Sequence, residues 1–145
     1  MSTFDPDLFM NTQTTDANDT KFVPIPEGEY PAYVDNIEAR RAGDKPVLEL
    51  KWVINDEGVR AETGLEKPMV RQTIWLDLTE QGGLDSGKGK NIGLGKVREA
   101  LGQNQSGRPW SPGMLIGANA FVKVGHRAGK EPGEVFADVK AVTAA

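Results

Sequence analysis

The sequence predicts an all-β domain of five strands with one short helix between the third and the fourth. Three observations carry that expectation. Five segments alternate apolar and polar residues with a period of two. Clusters of Gly, Pro, Asn and Asp separate them. One further segment, residues 91–101, shows helical spacing instead. With 145 residues the chain matches one domain, and a chain of that length can bury roughly 70% of its unfolded surface.

Residues 1–20 are rich in Thr, Asp and Asn, with Phe4 and Phe9 as their aromatics. Too little apolar surface is present to offset the entropy of ordering, which predicts a disordered, flexible acidic arm. Asp5-Pro6-Asp7-Leu8-Phe9 has the make-up of a short linear motif, and disorder with no role is the plainer reading. The domain proper is expected over residues 21–145. Phe22-Val23-Pro24-Ile25-Pro26-Glu27-Gly28 denies a helix and leads into an extended segment.

Residues 29–38 predict the first strand, with Pro31 at an edge or where its missing amide is not needed. A turn follows at 41–46. Residues 47–55 alternate Leu48, Leu50, Trp52 and Ile54 against Glu49, Lys51 and Val53. Residues 56–68 connect to a third strand, 69–78. Its apolar face is Val70, Ile74, Leu76 and Leu78; Arg71, Thr73, Trp75 and Asp77 face the other way. A Gly/Lys loop leads to the helix, where Asn91 is the expected N-cap and Gly102 the C-cap. Leu94, Val97 and Leu101 share one face of it. Residues 116–126 and 134–142 predict the last two strands, joined by a hairpin at 127–133. Strand, strand, strand, helix, strand, strand is the element order of a small five-stranded OB-like barrel.

The net charge is −4, but it is unevenly spread. The arm holds four acids and no base, so residues 21–145 are neutral. Within them, residues 86–130 carry eight bases against the single Glu99. Such asymmetry points to an anionic partner and an acidic tail; a solvated loop region with chance lysines is the plainer alternative.

Cysteine is absent, which excludes disulfides, thiolate nucleophiles and Cys-containing zinc sites. The single histidine, His126, excludes a His-rich metal site. Neither a metal nor a cofactor is expected. No apolar run approaches the roughly 20 residues that span a bilayer, and the first residues lack the features of a secretory signal. A soluble protein of a reducing cytoplasm is expected, without a membrane partner.

Gly82 to Lys88 matches the G-x-x-x-x-G-K skeleton of a phosphate loop, but Gly89 stands where magnesium chemistry needs Ser or Thr. Lys88 and Lys90, leading into a helix N-terminus, could still perch a backbone phosphate. Ser86, Ser106 and Ser111 lie outside any nucleophile elbow. A non-enzyme is expected, with nucleotide hydrolysis through the Gly82–Lys88 loop a distant rival.

The aromatics are more informative. Alternation places Trp75 beside Arg71 on the polar face of the third strand, where leaving an indole in water needs a reason. Bases stacked on such rings gain roughly 1–3 kcal/mol each. Phe121 shares a face with Lys123, Tyr33 lies opposite Ala32 and Val34, and Trp110 sits in the basic loop Gly107-Arg108-Pro109-Trp110. A core position is the plainer reading for each aromatic, and Trp52 is assigned to the core. The candidate nucleic-acid contacts are therefore Tyr33, Lys51, Arg71, Trp75, Lys88, Lys90, Arg108, Trp110, Phe121, Lys123, Arg127 and Lys130.

The run from Phe22 to Ala32 resembles the opening of a family of small phage-encoded proteins, many of them assigned as single-stranded DNA-binding proteins. Leu48-Glu49-Leu50-Lys51-Trp52, Arg71 to Leu76, the short helix ending in Gly, and Gly117 to Val124 resemble its later motifs. The likeness spans about residues 22–142. It implies an OB-fold that coats single-stranded DNA, without catalysis and without strong sequence preference, in phage replication or recombination in the host cytoplasm. The last five residues, 141–145, carry no acid, unlike the acidic tails of many strand binders. Single-stranded DNA is the expected partner, with replication or recombination proteins as candidates for the acidic arm; a homo-oligomer stays open. The main alternative is a phage structural or accessory β-barrel acting through protein contacts.

Overall fold

The computed structural model describes residues 3–20 and 22–145. Five strands form one antiparallel sheet: β1 (Gly28–Ala42), β2 (Lys45–Ile54), β3 (Met69–Trp75), β4 (Asn119–Ala128) and β5 (Val135–Ala144). Their order is β3-β2-β1-β4-β5. The first four make a Greek key, in which a long connection returns β4 to the side of β1. β3 and β5 are the two edges. They come into contact, so the sheet is strongly curled, but no hydrogen-bonded ladder joins them and it is not closed.

Two bulges help the sheet to curl. One lies between Val34 and Asn36 of β1. The other lies opposite Lys123 and Val124, where Lys140 is the extra residue of β5. The inner face carries Ala32, Val34, Leu48, Leu50, Trp52, Ile54, Val70, Ile74, Ala120, Val122 and Val124, all buried. Trp52 is wholly enclosed, and its Nε1 donates to Gln72 Oε1 at 2.8 Å. This is the face that alternation assigned to the core.

Besides a 3-10 turn at Pro112–Leu115, three α-helices accompany the sheet among the described residues: α1 (Pro6–Phe9), α2 (Glu57–Thr63) and α3 (Ile92–Ala100). The last packs Leu94 and Val97 into the core between β3 and β4 in sequence. Gly102, at φ +71°, ends it in a Schellman arrangement. The Gly102 amide donates to Glu99 O and the Gln103 amide to Arg98 O. Asn91, by contrast, does not cap α3 with its side chain. Its Oδ1 accepts from the Asp77 amide, and its Nδ2 donates to the carbonyls of Asp77 and Asp85. The amide of Asn91 donates in turn to Asp77 Oδ2. These bonds close the Gly/Lys loop and hold Asn91 left-handed at φ 53°.

Other differences have local causes. The 56–68 connection contains α2, because Asp56 accepts from the Val59 amide as N-cap and Gly64 ends the helix in the left-handed region. β3 stops at Trp75 rather than at residue 78, since Asp77 turns away to pair with Asn91. The arm holds one helical turn, α1, where Asp5 accepts from the Asp7 and Leu8 amides and Pro6 opens the turn. All described residues of the arm, 3–20, are exposed. No helix among the described residues is long and apolar enough to cross a membrane.

Candidate nucleic-acid interface

The outer face of β1, β2 and β3 is built in rows by the strand register. Tyr33, Val53 and Met69 form one row, and Asn36, Lys51 and Arg71 the next. Glu38, Glu49 and Thr73 follow, then Arg40, Val47 and Trp75. The β1 bulge decides the composition. Without it, alternation from Tyr33 would put Ile37 and Ala39 outside and Arg40 inside. With it, Ile37 packs against the core and Asn36, Glu38 and Arg40 join the outer face.

Four of the sequence-derived candidates meet on this surface: Tyr33, Lys51, Arg71 and Trp75. Trp75 is 55% exposed, a large fraction for an indole on a sheet. Lys45, from the β1–β2 turn end, places its Nζ 5.8 Å from the centroid of the Trp75 ring. Arg71 is well exposed, while Lys51 and Tyr33 are half-buried. Four bases, Arg40, Lys45, Lys51 and Arg71, stand against Glu38 and Glu49.

The same outer surface continues onto β4. Phe121 lies opposite Pro31, one row beyond Tyr33, and Lys123 lies opposite Glu29. Both are exposed. Arg127 sits farther along β4, 4.9 Å over the Phe136 ring and 3.8 Å from Asp138. Lys130 is exposed in the β4–β5 hairpin.

The remaining candidates lie off the sheet. Lys88 and Lys90 are exposed in the loop that Asp77 and Asn91 tie back to the Trp75 end of β3. Arg108 is exposed, but Trp110 is packed against the core cluster. The Arg98 guanidinium covers its ring at 4.2 Å, and its Nε1 donates to Gln103 Oε1 at 2.9 Å. One ring face of Trp110 is thus already occupied. Arg108 and Trp110 line a shallow cavity of about 100 Å³ with Met114.

His126 has a structural role: its Nε2 donates to the Ile25 carbonyl at 2.7 Å and pins the segment leading into β1. Nearby, burial first, then Asp56 and Glu62, raise the Tyr30 phenol above its ordinary value. Its hydroxyl donates to Pro26 O at 2.9 Å.

Arg40, Lys45 and Glu49 are face residues absent from the sequence-derived candidates. The bulge hides Arg40, and the turn hides Lys45. Glu49 is buried at 5% exposure although it points outward. No protein-family model matches this chain, and no curated protein matches it.

Proposed function

We propose that the chain binds single-stranded DNA non-catalytically on the outer face of β1, β2 and β3, with little sequence preference. The observation that carries this is Trp75, half-exposed on a strand face that also presents Arg40, Lys45, Lys51 and Arg71. An indole in that setting offers a stacking platform to any base, and the cations track the backbone. Phe121 and Lys123 extend the track onto β4, and the basic loops supply further charge at its rim.

We read the Greek-key sheet as an OB-like barrel left open along the β3–β5 seam, a partly open form that suits oligonucleotide binding. Fold alone does not assign function; the reading rests on the face. The resemblance over residues 22–142 points the same way and implies a role in phage replication or recombination.

The test is fluorescence anisotropy of a labelled thymidine 30-mer, with a duplex of equal length as control. Saturable binding of the single strand is expected, weaker for duplex and eased by salt. The log–log salt slope should be about −0.7 per phosphate contact. No binding at low salt would move the role of this face to protein contacts.

A further inference from the structure

We propose that Arg40 and Arg71 form a phosphate-binding pair on this face, and that the buried Glu49 is the positioning residue that holds them together. The inference rests on the single-strand reading above and adds Glu49, a residue that reading does not use.

Glu49 is the anomaly that leads there. It projects from the outer face of β2, yet its side chain is only 6% exposed. A carboxylate that deep is costly unless it is paired and hydrogen-bonded. Two guanidinia supply the pairing. Arg40 Nε donates to Oε2 at 2.9 Å from the β1 side, and Arg71 Nε lies 3.3 Å from Oε1 on the β3 side. The register explains the convergence. Glu49 lies in the row between theirs, so each arginine reaches it diagonally across one strand.

Both arginines engage the carboxylate through Nε. Their terminal nitrogens therefore remain for another partner, and among the described residues neither guanidinium has a second acceptor. Two like charges side by side would repel; the shared carboxylate holds them over one spot and leaves the trio a net single positive charge. The Arg71 side chain is 70% exposed and that of Arg40 39%. A phosphodiester fits this arrangement, because a guanidinium fork matches two phosphate oxygens. Trp75 in the Arg40 row and Lys51 in the Arg71 row flank the pair. One phosphate on the pair would thus sit beside the stacking ring.

The test is Glu49→Gln, because the two explanations give opposite signs. If charge alone governs the face, removing an acid tightens binding of the thymidine 30-mer. If Glu49 positions the arginines, Glu49→Gln weakens binding about tenfold, the size of one lost charge-assisted bond. The salt slope should also become shallower by about 0.7, one phosphate contact. Arg40→Lys, which keeps the charge and loses the fork, should weaken binding similarly, and its exposed position keeps the test open should Glu49→Gln fail to fold. Wild-type binding with Glu49→Gln as tight or tighter, or with Arg40→Lys unchanged, overturns the pair while leaving the single-strand reading intact. Absence of wild-type binding removes both.

Discussion

Arg40 of β1 and Trp75 of β3 stand in one row of the outer face, on either side of the buried Val47. Two strand spacings separate them, about 10 Å. A nucleotide whose base lies on the indole therefore has its backbone close to a guanidinium. Trp75→Ala should weaken binding of a thymidine 30-mer by roughly 1–3 kcal/mol at every salt concentration. The salt slope should stay unchanged, because the ring meets no phosphate. Anisotropy titrations at several salt concentrations measure both, and a changed slope would contradict a stacking role.

Lys123 behaves differently in the same experiment. It is exposed on β4 at the far end of the track, across from Glu29. Lys123→Ala should lower affinity and flatten the salt slope by about 0.7, one phosphate contact. An unaltered slope and affinity would confine the interface to β1, β2 and β3.

The inner face makes its own prediction. Gln72 accepts the hydrogen bond of the enclosed Trp52 indole. Gln72→Leu leaves that buried donor without its partner, which costs about 1–3 kcal/mol. Urea unfolding should show a lower midpoint at an unchanged m-value. DNA affinity below the midpoint should stay at the wild-type level, since Gln72 faces away from the track.

Alkaline stability should depend on Tyr30. Burial, with Asp56 and Glu62, raises its phenol above the ordinary 10.0, so the folded chain holds that proton more tightly than the unfolded chain does. The contribution is complete below pH 10 and is lost as pH climbs through the raised folded value. Tyr30→Phe should lower neutral stability by about 1 kcal/mol through the lost bond to Pro26 O. It should also flatten the decline above pH 10. A decline as steep as the wild type's would assign it to other groups.

Much of the architecture was legible because period-two alternation is a strong signal wherever one face is buried. Leu48, Leu50, Trp52 and Ile54 declared β2 and its inward face, and Leu94 and Val97 declared α3. Trp75 and Arg71 were legible for the same reason on β3. Arg40 was not. One extra residue in β1 reverses the faces of everything after it, and no glycine or proline marks the place. Glu49 looked like an ordinary solvent-facing acid, because its burial comes from two arginines on neighbouring strands. Asn91 has the chemistry of a cap, but Asp77, fourteen residues earlier, recruits it. Long-range partners decide such positions, and local sequence does not carry them.

Quenching of intrinsic tryptophan fluorescence by the thymidine 30-mer, in wild type and in Trp75→Phe, tests the stacking face most directly. Trp52 is enclosed and one face of Trp110 is covered by Arg98, so Trp75 is the most exposed of the three indoles. Saturable quenching in the wild type that largely disappears in Trp75→Phe is expected. Quenching that survives in Trp75→Phe would contradict the β1–β2–β3 face as the stacking surface.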